Sequence, residues 1–203
     1  MITVTDSHRG KMKGLWSINT STMSNPFCQK MQKTNAICSK CYAQRIEHTY
    51  GRKQPIGIWK ENGKILSSRI LKDKEIRIFK KDVPIRFHSF GELLNLTHLL
   101  NFFKIATMNP DRIFALWSKR SDLVRKVYKD KPANLILIYS TPQINKLKPK
   151  KLQGFDKVFS VYTEEFAKEH KIKINCHASC INCMTCYSHS QTVYVNELVK
   201  KGT

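Results

Sequence analysis

Several common machineries are missing from this sequence. There is no glycine-rich phosphate loop, no G-x-G-x-x-G dinucleotide fingerprint and no serine nucleophile elbow. No run of roughly 18 apolar residues occurs, so a membrane-spanning helix is not expected. The opening stretch, MITVTDSHRGKMKG, has no apolar core of the secretory kind, which makes a cytoplasmic protein the expectation. Repeats and low-complexity tracts are absent too. Acidic residues are scarce: 15 Asp and Glu stand against 36 Lys and Arg, a formal net charge of +21. Such an excess suits a polyanion, a nucleic acid or nucleotide, bound through phosphate contacts. The lysines are nevertheless dispersed, with only short runs such as Lys146, Lys148, Lys150 and Lys151, and there is no arginine-rich arm.

What the chain does have is cysteine in two groups. Cys28, Cys38 and Cys41 lie near one end, and Cys176, Cys180, Cys183 and Cys186 near the other. In a reducing compartment seven thiols read as ligands rather than as a disulfide framework, and the odd number argues against complete pairing. Two thiolates with two residues between them can bind one metal centre from a single tight turn, as at Cys38/Cys41, Cys180/Cys183 and Cys183/Cys186. A zinc site built from Cys38, Cys41, Cys183 and Cys186 would leave Cys28, Cys176 and Cys180 idle. Iron–sulfur chemistry employs all seven: four close one 4Fe-4S cluster, and three hold another with one iron open to a substrate or cofactor. Iron–sulfur is therefore the expected metal, in one or two clusters, with zinc the alternative. His177 and His189 flank the second group as possible replacements for a cysteine.

Between the cysteine groups, apolar runs alternate with helical patterns. Strands are expected at Leu15–Asn19, Pro84–Phe90, Arg112–Trp117, Asn134–Tyr139, Lys157–Tyr162 and Ile172–Asn175. Helices are expected at Ser39–Tyr50 (ended by Gly51), Lys64–Leu71, Glu92–Met108, Ser121–Tyr128 (capped by Ser121) and Glu164–His170. The pattern predicts one α/β domain over residues 1–203. Its sheet is an incomplete TIM-like barrel or an open parallel sheet of about five to six strands, with metal clusters at the C-terminal rim. The cysteine loop 21–41, the Ser89–Glu92 turn, the Trp117–Arg120 turn and the cysteine segment 176–187, placed after the last strand, would gather there. Alternation puts Arg86 and His88 on one face, as an acid–base pair or a hydrogen-bonded core histidine. Trp59 and Trp117 are candidates for base stacking or for the core.

The strings SINTSTMSNPFC, CSKCYA, IRFHSFGEL, FALWSKR, NLILIYST and CHASCINCMTCY together resemble the phage gene 88 protein family, from about Leu15 to Tyr187. That resemblance implies a phage or prophage origin, hence the cytoplasm of a bacterial host. It brings no activity with it. The arrangement also looks like a reduced radical S-adenosylmethionine (SAM) enzyme, in which three cysteines after the first strand of a partial barrel hold the open cluster. By that resemblance Cys28, Cys38 and Cys41 hold it, Gly91 and Glu92 face the SAM amino group, and Ser118 or Lys119 faces its carboxylate or ribose. The usual Cys-x3-Cys-x2-Cys spacing stands here at Cys176, Cys180 and Cys183 instead. Three functions follow as expectations: an enzyme acting on a nucleotide, nucleic acid or peptide; a zinc-stabilised basic nucleic-acid-binding protein; or an electron-transfer or redox-sensing module served by an electron donor.

Overall fold

The computed structural model describes residues 1–34, 36–50, 56–80, 82–176 and 179–199. Seven strands form one sheet in chain order: β1 (Thr5–Asp6), β2 (Trp16–Ile18), β3 (Ile85–Phe87), β4 (Phe114–Ser118), β5 (Leu135–Ser140), β6 (Lys157–Tyr162) and β7 (Tyr194–Leu198). Only the β1–β2 pair is antiparallel; β2 to β7 all run parallel. Strand order equal to chain order requires every crossover to return in the same sense, and right-handed crossovers then stay on one face of the sheet. β1 and β7 are the edges and do not pair, so the sheet is not closed.

The helices are α1 (Pro26–Gln32), α2 (Tyr42–Tyr50), α3 (Ile56–Ser68), α4 (Leu96–Thr107), α5 (Ser121–Val127), α6 (Glu164–Glu169) and the single turn α7 (Cys180–Cys183). The outer face of the sheet carries the main core. Ile85 and Phe87, Phe114 and Leu116, and Leu135 and Leu137 alternate toward Leu99, Phe102 and Phe103 of α4 and Leu66 of α3. Phe87 stacks on Phe102 with ring centroids 4.0 Å apart and on Phe114 at 4.9 Å. The inner face holds a smaller core of Leu15, Ala115, Ile136 and Ile138, covered by Tyr187, Cys180, Met184 and Cys186. A strand apolar on both faces, as Leu135–Ile138 is, needs both coverings. The second cysteine segment therefore acts as the lid of the inner core.

Several expectations need correction. Ile172–Asn175 is not a strand: the N–H groups of Asn175 and Cys176 both reach the single carbonyl of Asn196, and the Asn175 side chain bonds Asn196 N–H and Tyr194 O in place of a ladder. The last strand is β7, so the cysteine segment precedes it rather than following it. The Ser39–Tyr50 helix is broken at Cys41, where the backbone turns extended before α2. Helix α3 begins and ends earlier than Lys64–Leu71. Arg120, not Ser121, precedes α5, and no side chain caps it. Gly51 and His177 lie outside the described residues. Among the described residues no helix is long and apolar enough to cross a membrane.

Candidate metal centre

The C-terminal ends of the parallel strands open into a cavity of about 250 Å³. Six of the seven cysteines line it: Cys28, Cys38, Cys41, Cys176, Cys180 and Cys186. Cys183 is exposed, its sulfur 3.2 Å from the Thr185 hydroxyl. None of the seven is in a disulfide.

The first group is held in place by polar side chains that follow β2. Asn25 caps α1: its Oδ1 accepts from the N–H groups of Phe27 (2.9 Å) and Cys28 (3.4 Å), while its Nδ2 donates to the Glu92 carbonyl at 2.8 Å. Pro26 at the first helical position presets the turn. Cys38 sits in a 3-10 turn, Ile37–Lys40, whose Ile37 N–H donates to Pro142 O at 2.7 Å. Cys41 accepts the first bond of α2 from Arg45 N–H at 3.1 Å. Buried Glu47 of α2 accepts from the Ser21 hydroxyl, Thr22 N–H (2.7 Å) and Thr22 hydroxyl (2.5 Å), tying α2 back to the loop. Asn25, Glu47 and Asn19, whose Oδ1 accepts from Ser89 and Phe90 N–H, were not singled out in the sequence. The Asn-Pro step was the available signal for the cap.

The second group is anchored at the opposite edge. Lys11 Nζ donates to Cys176 O at 2.8 Å, lies 3.9 Å from its sulfur, and pairs with Glu197 of β7 at 2.7 Å. Arg86 lies flat on Trp117, 3.8 Å from the ring centroid, and its Nε donates to His88 O at 2.9 Å. Tyr187 packs on Trp117 with ring centroids 5.7 Å apart and neighbours Arg86 as well.

The thiols respond to this setting as two sets. Burial, then Glu92, Cys41 and Cys38, push the Cys28 thiol well above its ordinary value. Burial pushes Cys186 up to about 12, with Cys176, Cys180 and Cys183 adding to the rise and Arg86 opposing it. Cys38, Cys176 and Cys180 are raised chiefly by burial as well. Left to themselves these groups are neutral thiols, and a bound cation would reverse that, because coordination removes the proton. Among the described residues no three His, Cys, Asp or Glu side chains stand close enough together to hold one metal ion.

The residues expected to face SAM meet at one point but are already engaged. The Glu92 carboxylate accepts from the Ser118 hydroxyl (2.6 Å), Leu93 N–H (2.9 Å) and Lys119 N–H (2.9 Å). That uses about three of its four acceptor positions, and Glu92 still lines the cavity. Ser118 is fully buried. Lys119 reaches the Ser140 hydroxyl at 3.1 Å; burial disfavours its charge, but Cys38, Glu92, Cys41 and Cys28 outweigh this and raise its pKa. The missing Cβ of Gly91 makes room for Thr20: with φ +111°, an added Cβ would stand 2.6 Å from the Thr20 carbonyl oxygen, and Gly91 also lines the cavity.

Three further candidates are placed elsewhere. His88 does not share a face with Arg86, because its φ of +64° turns the ring outward onto His98 and Phe102, at 5.1 Å from each centroid. Trp59 is buried and stacks on Phe90 at 4.6 Å, so it offers no platform for a base. His189 bonds to Ala133 O, before β5 and away from the rim.

The histidine pair has one consistent proton arrangement. Leu94 N–H donates to His98 Nδ1, so His98 Nε2 carries the proton and donates to His88 Nε2 at 3.4 Å. The His88 proton then sits on Nδ1, which is buried without a partner. Burial lowers both pKa values, that of His98 to about 3. A folded value below the unfolded one means stability is complete above about pH 6.5 and is lost as pH falls, because only the unfolded chain takes up the proton. Between pH 7 and pH 5, His98 alone is expected to cost about 2 kcal/mol, read from urea midpoints at the two pH values. Midpoints that fail to drop would show the pair protonated in the fold.

The comparison with known proteins decides the family. The model for Gene product 88 matches residues 5–194. The chain belongs to the gene product 88 family. The match spans both cysteine groups and the parallel strands β2 to β6, ending at the first residue of β7, in agreement with the phage gene 88 resemblance carried by the cysteine strings. No curated protein and no solved structure matches it.

Proposed function

We propose that this family member is an iron–sulfur protein with two clusters at the C-terminal rim of an incomplete, radical SAM-like barrel. The observation that carries the reading is the convergence of six cysteines from opposite ends of the chain on one cavity, in two electrostatically separate sets. Cys176, Cys180, Cys183 and Cys186 hold a closed 4Fe-4S cluster once Cys183 turns inward. Cys28, Cys38 and Cys41 hold a second, with one iron free for a small ligand. A zinc ion needs four sulfurs about 3.8 Å apart, given Zn–S bonds of about 2.3 Å. A single zinc site would also leave three of the seven thiols idle, whereas two iron–sulfur clusters employ them all. When bound, the clusters supply one-electron chemistry.

The chain's own groups complete the site. Lys119 and Arg86 offer positive charge, and Glu92 keeps one acceptor position toward the cavity, which fits the ammonium group of SAM. Gly91 and Ser118 act one step back, positioning Glu92 through Thr20 and a direct hydrogen bond. The net charge of +21 favours a nucleotide or nucleic acid as the substrate over a peptide.

Protein purified without oxygen is expected to be brown, with iron and acid-labile sulfide in similar amounts, and SAM is expected to change the electron paramagnetic resonance spectrum of the reduced form. Colourless protein with about one zinc per chain would replace this reading by a zinc-stabilised binding protein. Clusters indifferent to SAM would leave an electron-transfer or redox-sensing role.

A further inference from the structure

Arg86 is half-buried inside the sheet's inner face, and among the described residues no carboxylate lies within ion-pair distance of it. Its visible partners are neutral: the His88 carbonyl, the Met12 sulfur at 3.4 Å and the face of Trp117. A guanidinium removed from water without a counter-ion is costly, since the charge is stabilised only by dipoles and a ring quadrupole. The groups around it that can become negative are Tyr187 and Tyr42, then Cys180 and Cys186, and the two cysteines share its cavity with Cys176. Its cavity neighbours thus name the missing anion.

We infer that Arg86 is the counter-charge of an anionic iron–sulfur cluster on Cys176, Cys180, Cys183 and Cys186, and that it sets this cluster's reduction potential above that of the first cluster. The inference rests on the two-cluster reading above. The charge around the two groups is unequal. Beside the second group stand Arg86, Lys11 and Lys157 against Glu197, and Glu197 is already paired with Lys11. Beside the first stand Lys119 and the exposed Lys40 against Glu92. A surplus positive charge stabilises the reduced, more negative cluster, and net charge near the sulfurs is one of the levers that sets such potentials. The difference makes the second cluster the resting place of an electron delivered by an external donor, and the first cluster the harder one to reduce.

The test is a potentiometric titration of the full chain, reconstituted without oxygen, reduced stepwise with dithionite and followed by electron paramagnetic resonance. Two transitions are expected. Arg86→Gln should lower the higher one so that the oxidised-to-reduced ratio at a fixed potential rises about tenfold, which is about 59 mV for one electron. Arg86→Lys, which keeps the charge and loses the planar stack, should keep most of the parent value. If Arg86→Gln does not fold, Cys28→Ala decides: it should lose the lower transition and retain the higher. The reverse loss overturns the assignment, as do unmoved midpoints in Arg86→Gln with full iron and sulfide. A parent without iron and sulfide removes the two-cluster reading, and this assignment with it.

Discussion

Replacing Cys186 by alanine in the iron-loaded protein should release the whole segment 176–187 from the sheet. Cys186 packs with Cys180, Met184 and Tyr187 over Leu15, Ala115, Ile136 and Ile138. Among its described residues the segment has one turn of α-helix, Cys180–Cys183, and a 3-10 turn, Thr185–Tyr187, joined by Met184 in the left-handed conformation at φ +52°. Apolar packing and the Cys176 contacts to Lys11 and Asn196 hold it, and on the cluster reading proposed above the metal supplies the rest. Structural zinc in small peptides binds with about 10–16 kcal/mol, so one ligand in four is worth about 3–4 kcal/mol on that scale. In metal-free protein the same substitution should cost about 1 kcal/mol, the ordinary effect of trimming a small buried side chain. Cys28→Ala should leave its own segment in place, because Asn25, Pro26 and Glu47 hold α1 and α2 without metal. Limited proteolysis and hydrogen exchange of the loaded variants read the difference. Equal release of both segments would indicate one shared structural site.

Gly91→Ala should cost about 4 kcal/mol. A side chain at φ +111° is strained by about 1–3 kcal/mol. The added Cβ also meets the backbone of Thr20, which cannot swing aside, since Thr20 N–H donates to Phe90 O and Ser21 N–H to Trp59 O. Forced overpacking adds about 1–3 kcal/mol. Gly57→Ala is the control: it lies in helix α3 with nothing within 4 Å of the new Cβ, and should be neutral or slightly stabilising. Urea midpoints with unchanged slopes check both. A tolerated Gly91→Ala would mean that the loop after β2 can retreat from the β3 turn, and the position of Glu92 would have to be reconsidered.

The two substitutions mark what could be seen in the sequence. Lys157–Tyr162 was legible residue for residue, because Val158, Phe159, Val161 and Tyr162 make a short β-prone run whose neighbours break cleanly. The NLILIY run was legible because a strand covered on both faces has no polar alternation. The Ile172–Asn175 expectation failed on the same logic: it alternates, but side-chain amides replaced the ladder. β7 was missed because only Val195 of its five residues is buried, so it has almost no pattern. The cysteine sets were legible from spacing alone. The face of His88 was not, since a single left-handed residue undoes alternation without any mark in composition. Nor was the partner of Gly91, because the approach of Thr20 is a property of two distant turns.

The contact between Lys11 and Glu197 has a consequence for the order of assembly. It joins residues 186 positions apart, and Lys11 also holds the Cys176 carbonyl. A chain emerging from the ribosome can stack β2 to β6 with their helices one after another, each new strand beside the last. The inner face of that growing sheet stays bare until residues 176–187 appear, after all of β2 to β6. Residues Leu15, Ala115, Ile136 and Ile138 are then an exposed apolar surface awaiting its cover, the kind of intermediate that aggregates. On the two-cluster reading proposed above, cluster delivery to the second group competes with aggregation, and the yield of soluble protein should follow the iron supply of the cell that makes it.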